Sequence, residues 1–202
     1  MPSFRLESQY DGLVVGIDEA GRGPLAGPVV AAAVIIDRTR IKRRLLSMLD
    51  DSKQLTPEER ERAYAALRES DAVAIGVGAA SARMIDRINV LQANFQAMVR
   101  AVRALDAAPA FALVDGDRLP KHLPCPGLAV VKGDSKVYSI AAASIVAKVT
   151  RDRIMALLGQ RYPEYCWHQN AGYGTGIHLE AIARLGATPH HRMSFSPLNR
   201  LL

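Results

Sequence analysis

The sequence predicts an α/β domain built on a mixed sheet. Short β-branched apolar runs recur along the chain, and stretches with helical periodicity and helix-start signals separate them. A helical crossover from an early strand to a later one favours parallel pairing, whereas two early strands joined by a short Gly/Pro-rich connection favour a hairpin. The 202 residues are 49% hydrophobic and 23% charged, enough apolar surface for one domain with a substantial core. The chain is therefore read as a single unit, 1–202, with a helical C-terminal part from about residue 161.

Each element follows in order. "LVVGID" (13–18) and "PVVAAAVIID" (28–37) are neighbouring strands. "TPEERERAYAALRES" (56–70) is a helix in which Thr56 is the N-cap, Pro57 occupies the first turn and Glu59 completes a capping box. "AVAIGVGAAS" (72–81) is a third strand. Ile88, Leu91, Phe95, Met98, Val102 and Leu105 recur at threes and fours, which predicts one amphipathic helix whose stripe is core. "FALVDG" (111–116) and "GLAVVKGD" (127–134) are the fourth and fifth strands. A long alanine-rich helix spans 135–160, and "HLEAIARLG" (178–186) is another, with Gly186 as its C-cap.

Composition narrows the function classes. A net charge of +6 is compatible with a polyanionic partner but does not by itself establish one. Cys125 and Cys166 lack CxxC spacing and read as reduced thiols. The start, "MPSFRLESQY", has no basic-then-apolar signal pattern, and no apolar run spans a bilayer, so the expectation is a cytoplasmic monomer without a membrane association. The five histidines show no metal-ligating spacing. Ser139 and Ser144 read as helix-packing residues, Lys148 and Asp152 as an i,i+4 pair, and Tyr165 and Trp167 as packing support for the loop that follows them.

Four carboxylates fall at strand ends: Asp18, Glu19, Asp115 and Asp134. Taken singly, an aspartate after a strand is commonly a turn residue or a helix cap. If strands 13–18 and 111–115 pair in parallel, however, their C-terminal ends share one sheet edge, where ligand sites of such sheets collect. Gathered carboxylates repel one another unless cations neutralise them, and hard oxygen donors favour Mg²⁺ or Mn²⁺. Two such ions about 4 Å apart suit phosphodiester hydrolysis. The loop "GRGPLAG" follows at once: Gly21 and Gly23 let backbone approach a ligand, and Arg22 supplies a cation suited to phosphate, although a lone GRG also reads as a tight connection with one solvated arginine.

Together, "GIDEAGRGPLAGPVVAAAVI", "DSKQL", "LVDG", "KGDSKVYSIAAASIVAKVTRDR", "GYGT..H" and "HHRMSF" resemble, in order, the motif blocks of bacterial ribonuclease HII, the type 2 ribonuclease H, over roughly residues 13 to 198. The resemblance implies a ribonuclease H-like fold: a mixed five-stranded sheet flanked by helices, with a helical C-terminal region. It implies endonucleolytic cleavage of RNA in RNA–DNA hybrids, and on the 5′ side of single ribonucleotides embedded in duplex DNA, leaving 3′-hydroxyl and 5′-phosphate ends by two-metal-ion catalysis. By motif match, the metal-binding acids are Asp18, Glu19, Asp115 and Asp134. Gly21, Arg22 and Gly23 contact the 2′-hydroxyl, and Tyr173 senses the RNA–DNA junction. Lys53, in DSKQL, is a weaker candidate for a phosphate contact.

Two positions depart from many relatives. A lysine commonly precedes GYGT where this chain has Ala171, and HRRSF stands where this chain reads HRMSF, with Met193; each change removes a candidate phosphate contact. Two competing readings remain. One is a type 3 ribonuclease H preferring long hybrids, against which the GRG loop and Tyr173 speak. The other is a non-cutting nucleic-acid-binding module, against which the presence of all four acids speaks.

Overall fold

The computed structural model describes residues 2–49 and 55–200. Five strands form one sheet: β1 (Val14–Ala20), β2 (Val29–Ile36), β3 (Val73–Ala80), β4 (Phe111–Asp115) and β5 (Gly127–Val130), in the order β3-β2-β1-β4-β5. β1, β2 and β3 pair antiparallel, as a hairpin and a meander require, while β1–β4 and β4–β5 are parallel. The mixed sheet is the one expected. Ile17 stands opposite Val114, so the next residues along, Asp18 and Asp115, come to the same end of adjacent strands.

Seven helices are described: α1 (Arg43–Leu46), α2 (Pro57–Glu69), α3 (Ala82–Ile88), α4 (Val90–Arg103), α5 (Tyr138–Arg161), α6 (Trp167–Asn170) and α7 (Gly176–Leu185). The capping box of α2 is present, with Glu59 N–H donating to Thr56 Oγ1 at 3.2 Å and Thr56 N–H donating to Glu59 Oε2 at 2.8 Å. Such a cap is worth about 1 kcal/mol. The amphipathic stripe expected as one helix is two. Asn89 takes a positive φ of 65°, ends α3, and caps α4 by accepting from Gln92 N–H at 3.1 Å. Periodicity cannot see this break, because a one-residue turn leaves the apolar spacing almost intact.

One face of the sheet packs on α3 and α4 through Val15, Ile17, Ala31, Ile85, Ala97 and Met98. The opposite face packs on α5 and α2 through Ala32, Val34, Leu67, Ala142 and Ile145. α5 lies directly on β1: a Cβ at Gly16 would fall 2.2 Å from the backbone carbon of Ser139. Only glycine on the strand and a short side chain on the helix permit that approach.

The end of β5 differs from expectation. It stops at Val130; Lys132 then takes a φ of 55°, and Gly133–Ser135 form a 3₁₀ turn before α5 begins at Tyr138. Asp134 therefore sits on a tight turn, buried, and not at a strand end. The chain's last third folds back through a small core of Leu25, Ala26, Met155, Trp167, Ile182 and Leu198. Both cysteines are free. Among the described residues, no helix is long and apolar enough to cross a membrane.

Candidate active site

Consecutive residues of a strand point to opposite faces. Asp18 shares its parity with Gly16 and turns toward α5, where the Ser144 hydroxyl hydrogen-bonds its carboxylate. Glu19 shares the parity of Ile17 and turns toward α4, where the Asn94 side chain and the Arg22 guanidinium reach it. Arg22 Nη1 lies 3.2 Å from Glu19 Oε1. Adjacent acids thus serve both flanks of one strand end. Two clefts meet there. One, of roughly 310 Å³, is lined by Asp18, Gly21, Gly23, Ser144, Lys148 and Tyr173. The other, of roughly 280 Å³, is lined by Glu19, Arg22, Asn94, Asp115 and Arg118.

The electrostatics are those of crowded acids. Burial holds the Asp18 carboxyl well above the usual carboxylate range, and the charges of Glu19 and Asp115 push it further. The Glu19 N–H at 2.7 Å and the Ser144 hydroxyl act against that rise. Burial also raises Glu19; Arg22 and Asn94 oppose the rise, and Asp115 adds to it. Asp115 Oδ1 accepts from Gly133 N–H at 2.6 Å, which ties the end of β4 to the turn carrying Asp134. Asp134 Oδ1 in turn accepts from Ser135 N–H at 2.9 Å. The structure therefore brings Asp18, Glu19 and Asp115 into mutual electrostatic contact and attaches Asp134 through its neighbour.

Among the described residues, no three carboxylate, thiol or imidazole groups stand placed to hold a metal ion by themselves. The donor set still fits a divalent cation. It consists of hard oxygens, its mutual repulsion is what a cation relieves, and Mg²⁺ characteristically draws its remaining ligands from water and substrate phosphate.

The GRG loop is clamped from beneath by two buried arginines that motif reading left out of the site. Arg192 donates to the carbonyl oxygens of Gly21, Arg22 and Gly27 at 2.5, 2.7 and 3.0 Å. Arg151 donates to those of Ala26, Pro28 and Ala171 at 3.0–3.1 Å. Gly21 has a φ of 91°, and a Cβ there would strike the Arg151 guanidinium at 1.9 Å, so the loop and its clamp require glycine. Tyr173 is half exposed, its ring edge 3.7 Å from where a Gly23 Cβ would stand. The GYGT loop is joined to this one by Gly172, whose carbonyl accepts from Leu25 N–H at 2.8 Å.

The chain matches the ribonuclease HII family over residues 15–197. It is 58% identical to the ribonuclease HII of Rhodospirillum rubrum, covering all of this chain and 92% of that one, and 57% identical to that of Paramagnetospirillum magneticum, covering 98% and 97%. This chain belongs to the ribonuclease HII family. Its structure matches the ribonuclease H2 of Pyrococcus horikoshii with a TM-score of 0.76 at 31% identity, over 94% of this chain and 97% of that one. The Bst ribonuclease HIII solved with Mn²⁺ superposes with a TM-score of 0.73 at 22% identity, over 93% of this chain and 68% of that one, and so shares the fold. As a family member the chain is a metal-dependent endoribonuclease of the ribonuclease H type, acting on RNA–DNA hybrids.

Within a ribonuclease HII, the remaining sequence expectations fall as follows. Lys53 lies outside the described residues. Lys148 and Asp152 pair at 2.7 Å, with Lys148 on the cleft wall. Ser139 hydrogen-bonds the buried Glu7 carboxylate, whereas Ser144, expected only to pack, donates to Asp18. Ala171 offers its carbonyl to Arg151, and Met193 packs half-buried against the small C-terminal core. Asn94 was legible in principle: it is an amide on the buried stripe of α4, beside Phe95 and Met98.

Proposed function

We propose that Asp18, Glu19, Asp115 and Asp134 hold two divalent ions, Mg²⁺ or Mn²⁺. With them this ribonuclease HII cuts on the 5′ side of a ribonucleotide, single residues embedded in duplex DNA included. The observation that carries the reading is the meeting of buried, mutually repelling acids with a backbone-exposing loop and a half-exposed tyrosine in one cleft. When bound, such ions neutralise charge at the scissile phosphate and lower the pKa of water. Water adds to phosphorus, the P–O3′ bond breaks, and the leaving oxygen takes up a proton, which gives 3′-hydroxyl and 5′-phosphate ends.

The chain's residues supply position and recognition. Ser144 and the Glu19 N–H orient the Asp18 carboxylate, and Gly133 N–H orients that of Asp115. Arg22 holds Glu19 and offers its remaining donors to phosphate. Because Arg151 and Arg192 occupy carbonyls of the 21–28 loop, Gly21 and Gly23 can present backbone to the ribose 2′-hydroxyl, the group that separates RNA from DNA. Tyr173 packs its ring on the sugar beside the junction.

The test is to map the cut in duplex DNA carrying one ribonucleotide, with Mg²⁺, Mn²⁺ or chelator, for the parent and Asp115→Asn. The expected cut is 5′ of the ribonucleotide, lost with chelator and nearly abolished in the variant. A cut that survives chelation, falls on the 3′ side, or occurs only within long hybrid tracts overturns the proposal.

A further inference from the structure

Behind Tyr173 lies a buried set of polar rings that the cleft itself does not include. His178, in the first turn of α7, is fully buried, as is Trp167; His191 is 2% exposed. His178 Nδ1 lies 2.8 Å from the backbone carbonyl oxygen of Tyr173. A carbonyl can only accept, so Nδ1 carries the proton and Nε2 is left as an acceptor. Into that acceptor point Trp167 Nε1–H at 3.0 Å and His191 Nε2 at 3.0 Å. The second is a donor because His191 Nδ1 already accepts from Thr188 N–H at 2.9 Å. Every proton in the set is therefore assigned by its partners, with both imidazoles neutral. Burial agrees: it lowers the pKa of His178 and takes that of His191 down to about 4.

The Tyr173 carbonyl also accepts from Thr175 N–H at 2.8 Å, so two donors fix the plane of the peptide that follows the tyrosine. The supply line is specific. His191 and Arg192 are consecutive; His191 reaches the Tyr173 loop through His178, while Arg192 reaches the carbonyls of Gly21 and Arg22. One dipeptide thereby sets the two loops that face each other across the cleft.

We infer that His178 is the positioning residue for Tyr173, and that its hydrogen bond to the Tyr173 carbonyl sets the preference for a single embedded ribonucleotide over continuous hybrid. The inference rests on the reading of Tyr173 as the junction-sensing side chain. A side chain that merely filled the core would need no donor aimed at that oxygen, and an apolar residue of like volume would serve.

Two substitutions divide the imidazole's functions. In His178→Asn the amide can occupy the Nδ1 position and still donate to the carbonyl, but the acceptor for Trp167 and His191 is lost. In His178→Gln the amide reaches the Nε2 position and keeps an acceptor there, but the donor toward Tyr173 is lost. The experiment measures kcat and KM for both variants on duplex with one ribonucleotide and on continuous hybrid, alongside Tm. His178→Gln is expected to lower the ratio of single-ribonucleotide to hybrid kcat/KM by about tenfold, the order of one lost oriented hydrogen bond, and His178→Asn to keep it within about threefold of the parent. Equal ratios in both variants, or ratios that follow Tm and not the retained donor, overturn the inference. Should both variants unfold, the imidazole ¹⁵N spectrum of the parent in chelator replaces them: the His178 Nδ1–H resonance is expected to shift on binding duplex with one ribonucleotide and not on binding continuous hybrid, and an equal shift with both, or none with either, overturns the inference. Tyr173→Ala separates the two claims. An unchanged ratio in it removes the sensing role and this inference together. A lowered ratio in it beside a parental one in His178→Gln removes only the positioning role.

Discussion

Arg192 Nη1 donates to the carbonyl oxygen of Arg22 at 2.7 Å, joining the C-terminal segment to the turn that follows the first two acids, 170 residues earlier. The guanidinium is fully buried, and burial draws its pKa down to about 9, which still leaves it charged at neutral pH. Its planar fork serves three carbonyls at once, a geometry that an ammonium cannot copy. Arg192→Lys should leave at least one carbonyl without its donor, costing about 1–3 kcal/mol of stability, and should depress cleavage further than the lost stability explains. Urea unfolding paired with single-turnover cleavage checks this; full activity in a variant of unchanged stability would refute the clamp.

Asp18 gives a prediction of opposite sign for stability and activity. Its folded-state pKa is raised, so its contribution to stability is fully present below the ordinary carboxylate range and is lost as pH rises through the raised value. In chelator at neutral pH, Asp18→Asn should therefore melt at a higher temperature than the parent, and that gain should vanish on acidification below pH about 4. Added Mg²⁺ or Mn²⁺ should raise the parent's Tm more than the variant's, while the variant's cleavage is nearly abolished. A variant that melts earlier in chelator would place Asp18 among the stabilising acids.

Acid should weaken the C-terminal segment before the sheet. His191 is held down to about 4 in the folded chain against an ordinary 6.5, chiefly by burial and then by His178, so the unfolded chain binds its proton first. Stability is thus fully present above pH 6.5 and lost progressively toward 4. Hydrogen exchange at the amides of Thr188 and Arg192, followed from pH 7 to 4.5, should accelerate relative to amides of β1 once intrinsic rates are removed. Uniform protection across that window would count against a buried neutral histidine pair.

Tyr173→Ala should lose most cleavage at a single embedded ribonucleotide, with continuous hybrid, which offers a ribose at every position, affected less. The side chain is half exposed and its backbone contacts survive the substitution, so Tm should move by less than about 1 kcal/mol equivalent. Paired cleavage assays and melting curves decide between sensing and anchoring: a large early shift in melting, or equal loss on both substrates, assigns the ring to the core.

The sequence by itself determined the strands of the sheet and singled out four acids as candidates. Short β-branched apolar runs and cap signals are local, so β1 to β5, α2 and the Gly186 stop were legible within a few residues. The acids stood out because carboxylates at the ends of apolar runs break the local pattern. Where a local signal was weak, reading failed: Asn89 divided a helix without disturbing its spacing, and β5 ended early, at Val130, ahead of Lys132, whose φ of 55° composition does not encode. Tertiary structure alone decided how the site is held. Arg151 and Arg192 look like surface cations in a basic chain, and His178 and His191 like scattered imidazoles. Each is buried because carbonyl oxygens and ring nitrogens contributed by distant segments satisfy its donors. Burying a polar group is favourable only when its partners are already in place, and, the Tyr173 carbonyl five residues from His178 apart, the acceptors that satisfy these donors lie 13 to 171 residues away along the chain, beyond the reach of any local pattern.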